Sequence, residues 1–435
     1  MIPDYHPFNV NKAGHLEAGG VDVVELAETY GTPLYVYDVS IIRNNCRDFV
    51  RTFRELGVRA QVAYASKAFS TVAMLQVVNQ EGMSLDVVSQ GELYTALQAG
   101  FPVSKIHLHG NNKSLEELTM AIEHGIGCIV VDNFYEIELI ERILQEKNKT
   151  VNVLMRVTPG IESNTHHYIM TGNEDSKFGF NLSNGQADQA FLRLRNNSSI
   201  QFKGLHSHIG SQLFETEGLL LAAELLFQKL DHWHIEYGFV PDVLNLGGGF
   251  GIRYTAEDEP LSYPSLVREL TSAVKEQAAS IGIPTPEIWI EPGRAIAGNA
   301  GLTLYTVGSM KEIPGVRSYI SVDGGMTDNL RPALYQAVYE GVLANKVSQP
   351  DAGSVAVAGK CCESGDMLIW DLPLPEVKPN DILAVFSTGA YGYSMANNYN
   401  RFPKPAVVFA ENGTAQQVVK RETYHDLVKN DISYE

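Results

Sequence analysis

Cysteine is scarce in this chain. Cys46, Cys128, Cys361 and Cys362 are the four present in 435 residues. Their spacing matches neither a zinc ribbon nor a disulfide framework, and adjacent cysteines such as Cys361 and Cys362 rarely bridge each other. Positive charge is also short, with 33 basic against 51 acidic residues and a formal net charge of −18. Such a surface repels nucleic acid and anionic membrane, so an anionic ligand needs a local group of cations or backbone amides. No apolar run approaches membrane-spanning length, and the opening MIPDYHPFNV has no basic or apolar leader pattern. Low-complexity segments and charged tails are missing too. These absences lead us to expect a cytoplasmic protein with reduced thiols, partnered by neither nucleic acid nor membrane.

Hydrophobic residues make up 44% of the chain, enough for a large core. Short apolar, β-branched runs recur at 62–66, 83–88, 106–110, 128–132, 151–157, 202–208, 243–247 and 287–291. None alternates cleanly, as expected of strands buried on both faces of a parallel sheet. Helical patterns separate them. One opens on a Ser114–Glu117 capping box and stops at Gly125; others stop at Gly82, Gly100, Gly238 and Gly282. A further helix near 41–56 leads the first strand. Eight strands and eight helices over this span are the arithmetic of a (β/α)8 TIM-type barrel within the α/β class. After residue 300 the runs LTLYTVGSM, RSYISVD, SVAVAG, DILAVFS and PAVVFA read as a β domain. The early run GTPLYVYD is expected to join it. We therefore divide the chain into 1–38, joining the β domain, 39–298 as barrel, and 299–435 as β domain.

Function in such barrels collects at the C-terminal ends of the strands. The first strand ends in YASKAFS, placing Lys67 at the rim, where a Schiff-base lysine would sit. A surface lysine snorkelling to solvent is the plainer alternative. The sixth strand ends in SHIGSQ with His208, suited to a ring lying on a flat cofactor. The seventh leads into Gly247, Gly248 and Gly249, a bare-backbone turn whose N–H groups can meet a phosphate. GGGFGI lacks the third glycine of a dinucleotide fingerprint, which argues against that use. The eighth ends in Glu291, Pro292, Gly293 and Arg294. Glu291, on an apolar strand, needs a partner: either Arg294 or a protonated ring nitrogen. Two histidine pairs, His107 with His109 and His206 with His208, each face one way on their strands. That keeps metal open as an alternative, but no carboxylate stands at ligand spacing within these motifs, so no metal is expected. Imine-forming lysine, phosphate cup, flat ring and carboxylate together describe a pyridoxal phosphate site.

YASKAFS, SLDVVSQGEL, HGNNKS, SHIGSQ, LGGGFGI, EPGR, VDGGMTDNLRPALY, CCESGD and GAYGY, in that order, resemble the diaminopimelate decarboxylases, above all those of Bacillus type. These are fold-type III pyridoxal phosphate enzymes with an alanine racemase-like barrel. The resemblance runs from about residue 14 onward. It implies that Lys67 carries the cofactor, that His208 lies against its ring and that Glu291 meets its nitrogen. Gly247–Gly249 and the Glu291–Arg294 loop would hold the phosphate. Arg294, Arg331, Tyr335 and Tyr391 would bind substrate, Tyr391 touching the cofactor as well. Cys362 would donate a proton and Glu363 would read the distal ammonium. Where many relatives have Pro-Leu or Pro-Ile, this chain has Lys360–Cys361, and Cys361 is read as a spacer. The resemblance further implies a homodimer with shared active sites, in which Cys362 and Glu363 come from the partner chain.

The reaction implied is decarboxylation of meso-2,6-diaminopimelate to L-lysine and CO2, the last step of lysine biosynthesis. A racemase on the same scaffold would set an arginine against the ring nitrogen, where EPGR offers a glutamate. An ornithine or arginine decarboxylase would leave Arg331 and Tyr335 without an anion. A metal-dependent barrel hydrolase and a non-enzymatic cofactor carrier are more distant, the carrier needing neither CCESGD nor GAYGY. Borohydride reduction of the purified protein followed by peptide mapping should tag Lys67; a tag on another residue would remove Lys67 from the site.

Overall fold

The computed structural model describes residues 2–160 and 175–434. The chain forms two compact units. The first comprises Asn45–Gly251 with Pro260–Ala295; the second runs from the N-terminus to Asn44 and adds Ile252–Glu259 and Ile296 onward. Among the described residues no helix is long and apolar enough to cross a membrane.

The first unit is the expected barrel. Its strands are Ala60–Ala65, Ser84–Val87, Ile106–Leu108, Cys128–Val131, Val151–Thr158, Ile200–His206, Val243–Asn245 and Glu287–Ile290. Each pairs in parallel with the next, and the eighth returns to the first through Ile288 opposite Ala60. Closure leaves no open edge among the eight. The short parallel strand Phe180–Asn181 adds onto the fifth. Local chemistry starts and stops the helices as read from sequence. Ser114 and Glu117 close a reciprocal capping box on Leu115–His124, and Gly125 ends that helix in the left-handed region at φ 67°. The helix Glu217–Tyr237 buries Leu219, Ala222, Ala223, Leu226, Phe227, Leu230 and Trp233, a stripe at helical spacing that faces the barrel wall.

Deep in the barrel, Cys128, Val130, Leu154, Val243 and Trp289 form one apolar cluster. The His107 ring stacks on Trp289 with centroids 4.1 Å apart and planes within 6°. Burial lowers the His107 pKa to about 3, so this imidazole is neutral and serves packing.

The second unit is built on a mixed sheet. Leu34–Asp38 lies at its centre, antiparallel to Gly301–Ile313 and parallel to Ala406–Glu411. The early strand therefore does join the C-terminal ones. Strands Arg317–Val322, Gly353–Ala358 and Ile382–Val385 complete the expected set. Met367–Leu374 and Thr414–Val419 form the two ends of the sheet and were not anticipated. The first carries Pro373, and the second is half polar with no fully buried residue. Both features suit edge strands, and both hide a strand from an apolar-pattern search.

A wholly buried ion pair links two parts of the barrel. Lys113 Nζ lies 2.5 Å from Glu136 Oε1 and donates to the carbonyls of Gly110 (2.8 Å) and Val130 (2.6 Å). Glu136→Ala would strand that cation, and the expected loss is about 3–5 kcal/mol. Chemical denaturation measures it; a loss under about 1 kcal/mol, the range of an exposed pair, would show the site is wet.

Candidate active site

At the barrel rim the first strand ends in a single 3-10 turn, Ser66–Ala68. Ser66 and Ala68 are buried and Lys67 is exposed, so the turn presents the lysine at the mouth. The Glu291–Arg294 segment is stitched beside it: Ala65 N–H donates to the Pro292 carbonyl at 3.1 Å. A Cβ on Gly293 would lie 3.0 Å from Ala65 Cβ, which explains a glycine there. Arg294 is buried and its Nη2 donates to Ser211 Oγ at 3.0 Å.

Glu291 is the centre of the rim. Its side chain is buried, and its partners come from three other strand ends. Asn245 Nδ2 donates to Oε1 at 2.6 Å. His109 Nε2 lies 2.9 Å from Oε1, and His206 Nε2 lies 3.1 Å from Oε2. Burial alone would raise the carboxyl pKa, but the two imidazoles outweigh it and hold Glu291 well below the usual range. The partner anticipated from the adjacent Arg294 is thus replaced by two histidines and an asparagine distant in sequence. The histidine pair 107/109 also divides: His107 packs on Trp289, whereas His109 faces carboxylates. Asp86, buried on the second strand, lies 3.7 Å from His109 Nε2. Sequence reading passed over Asp86, His109, His206 and Asn245 as members of one group. The available signal was their shared position, at or beside the ends of strands two, three, six and seven.

His208 is half-buried and accepts the Gly248 N–H on Nδ1 at 3.2 Å. Burial, reinforced by Lys67 and Arg156, lowers its pKa well below 6.5, so the ring is neutral. The glycine turn is tightly keyed. Gly247 donates to Asn245 Oδ1 (2.9 Å) and accepts the Glu291 N–H (2.7 Å). A Cβ on Gly248 would lie 2.0 Å from the Glu291 carbonyl, and one on Gly249 2.2 Å from that of Gly210. No larger residue fits while the strands keep this spacing.

The donor set suits a pyridoxal group. A carboxylate has about four acceptor positions; Asn245 and His206 hydrogen-bond to Glu291 and His109 Nε2 lies close without hydrogen-bond geometry, so acceptor capacity remains for a ring N–H. The buried Ser207 hydroxyl, between His206 and His208, has no hydrogen-bond partner. His109, His206 and Glu291 also hold donor atoms within 4.8 Å of one another, a spacing that a divalent ion could accept.

The second unit holds the remaining candidates. Arg331 opens the short helix Arg331–Tyr335. Its Nε donates to Tyr339 Oη at 3.0 Å, and its guanidinium lies 5.4 Å from the Tyr335 ring and 5.7 Å from that of Tyr391. Arg331, Tyr335 and Tyr391 are therefore one cluster. Tyr391 has φ 60°, an uncommon backbone for a tyrosine. Cys362 and Glu363 occupy a separate exposed loop. Cys362 N–H donates to Asn400 Oδ1 at 3.0 Å, and Glu363 accepts the Tyr399 hydroxyl. Asp366 ties the loop down by accepting from the N–H groups of Cys361 (2.8 Å) and Met326 (2.6 Å). Cys361 points inward, and burial pushes its thiol up to about 12.

These features define the class. The model of the pyridoxal-dependent decarboxylases, for their pyridoxal binding domain, matches residues 39–298. The diaminopimelate decarboxylase of Bacillus subtilis is 63% identical over 424 residues, 98% of this chain and 97% of that protein. That of Bacillus methanolicus is 63% identical over 413 residues, 95% and 96% of the two chains. The crystal structure of the M. jannaschii diaminopimelate decarboxylase in complex with L-lysine superposes with a TM-score of 0.92 at 33% identity, covering 99% of this chain and 98% of that one. This chain belongs to the diaminopimelate decarboxylases.

Two buried carboxylates in the rim shift in opposite directions. Burial raises Asp86 from 3.8 to about 6, against the pull of His109. A folded value above the unfolded one means a contribution to stability that is complete below pH 3.8 and lost as pH rises through about 6. Glu291 has the reverse sign: its contribution is present above 4.5 and falls away as pH drops toward its lowered value. Replacing Asp86 by asparagine should therefore gain stability on the wild type as pH rises from about 4 to 6, with the gap level above about 7. Denaturant melts across that range read the gap; a pH-independent gap would show an ordinary carboxyl.

Proposed function

We propose that this chain releases CO2 from meso-2,6-diaminopimelate to give L-lysine, the last step of lysine biosynthesis, and that the residues above divide the work as follows. The activity follows from family membership. The observation that carries the residue assignment is Glu291, held ionised by His109, His206 and Asn245. An arginine there would favour proton exchange at the substrate carbon; a carboxylate favours loss of CO2.

Pyridoxal phosphate, when bound, supplies the electron sink that lets the bond to the carboxylate break. Lys67 Nζ would hold it covalently. Glu291 would keep the proton on its ring nitrogen, and the neutral His208 would lie against its face. Gly247–Gly249 and Pro292–Arg294 would cradle its phosphate. Gly247 and Gly248 N–H groups bond to Asn245 and His208, which puts weight on Gly249 and the Gly293–Arg294 backbone. Arg294 and Arg331 each offer a fork suited to a carboxylate. Tyr335 and Tyr391 flank Arg331; Tyr391 would touch the cofactor as well, and Glu363 would pair with the distal ammonium. Cys362 would return a proton to the carbon that lost CO2.

Cys362 and Glu363 are exposed on their loop, which supports a homodimer in which this loop completes the site of a second copy. All four cysteines are free thiols, which supports a reducing, cytoplasmic setting. We take 39–298 as the cofactor domain, with 1–38 and 299–435 forming the β domain.

The test is CO2 release from diaminopimelate, ornithine and arginine by wild type and Cys362→Ala. Wild type should act on diaminopimelate by a wide margin, and Cys362→Ala should turn over more slowly with cofactor absorbance intact. Equal rates on ornithine would overturn the substrate assignment, and loss of cofactor in the variant would make Cys362 structural.

A further inference from the structure

The rim holds a charged array larger than Glu291 and its two hydrogen-bond donors, Asn245 and His206. Asp86 lies on the second strand, His109 just past the third and Glu291 just past the eighth. His109 reaches both carboxylates with a single atom: Nε2 is 2.9 Å from Glu291 Oε1 and 3.7 Å from Asp86 Oδ1. All three side chains are nearly solvent-free, with relative exposures of 6% or less. Two carboxylates this deeply buried repel each other unless a donor stands between them. Among the described residues, the titratable and charged groups facing His109 are Asp86, Asp132, Glu291, His107 and His206, with Arg156 and Lys67 acting on the same carboxylates. His107 is neutral and engaged with Trp289. His206 reaches only the Oε2 side of Glu291. Within the array, His109 is the link between Asp86 and Glu291.

We propose that His109 is a positioning residue for the cofactor: by bridging Asp86 to Glu291, it keeps the Glu291 carboxylate anionic and aimed at the ring nitrogen. It touches neither substrate nor reacting carbon. Its effect is on how firmly the protonated ring is held, and so on the depth of the electron sink. The inference rests on the assignment of Glu291 to the ring nitrogen.

Three variants test it: His109→Phe, which keeps a flat ring and loses the donor; His109→Gln, whose amide N–H can reach the Nε2 position; and Glu291→Gln. Each is stripped of cofactor and reconstituted, and cofactor Kd, the pH dependence of the visible absorbance band, kcat and KM are measured. At metal sites, loss of the partner behind a ligand costs roughly 10- to 100-fold in affinity, and a loss of that size is expected here. His109→Phe should raise cofactor Kd and lower kcat within that range, shift the pH profile of the band, and leave KM within about twofold. His109→Gln should recover most of the loss. If His109→Phe binds cofactor within about twofold of wild type with an unmoved band profile, the proposal is overturned. Equal damage from phenylalanine and glutamine would also overturn it, because only packing would then matter. Should Glu291→Gln leave affinity, band and kcat untouched, the Glu291 assignment itself fails. Damage from Glu291→Gln alone would fault the role of His109 only.

Discussion

A single negative charge, taken out of water at the end of the eighth strand, governs the architecture of the rim. Glu291 is stable there because Asn245, His109 and His206 reach it from the ends or edges of strands seven, three and six. Each donor is aimed by the register of its own strand, so the carboxylate reports on the barrel's closure. The glycine turn answers to the same residue. Gly247 accepts the Glu291 N–H, and Gly248 has no room for a side chain because the Glu291 carbonyl lies against it. The turn is therefore a packing requirement of the strand ends before it is a ligand cradle, and one set of glycines serves both.

The β unit repeats this logic on a smaller scale. Asp366 is buried and gathers the backbone N–H groups of Cys361 and Met326. Its carboxylate also fills the space where Gly325 and Gly359 would carry a Cβ, with contacts of 2.5 and 2.2 Å. The loop bearing Cys362 and Glu363 is thereby rigid at its base and open at its tip. Of the adjacent thiols, Cys361 is turned inward and Cys362 is left at the surface. Two neighbours of identical chemistry thus meet different surroundings, Cys361 buried beside Asp366 and Cys362 open to solvent.

Periodicity and punctuation made the scaffold readable. The eight apolar runs, the Ser114 capping box and the glycine stops are local signals, and each corresponds to an element of the barrel. GTPLYVYD was recognisable as a strand, and it pairs with strands roughly 270 and 370 residues away. Among the strands that escaped reading, Met367–Leu374 and Thr414–Val419 lie at sheet edges, where a proline and exposed polar residues are tolerated. Lys67, the glycine turn and EPGR stood out because each interrupts an apolar strand with residues that a core would reject.

Sequence alone determined which groups stand at the rim, since a strand end is a local event: Lys67, His208, Gly247–Gly249 and Glu291 could all be named from it. Only the tertiary structure decided what each group faces. His107 and His109 are two residues apart and equivalent in pattern, yet one stacks on Trp289 and the other meets two carboxylates. Glu291 finds its partners 46, 85 and 182 residues away in the chain, while Arg294, three residues on, bonds to Ser211. The barrel's closure fixes those pairings, because it brings strands three, six, seven and eight to one mouth.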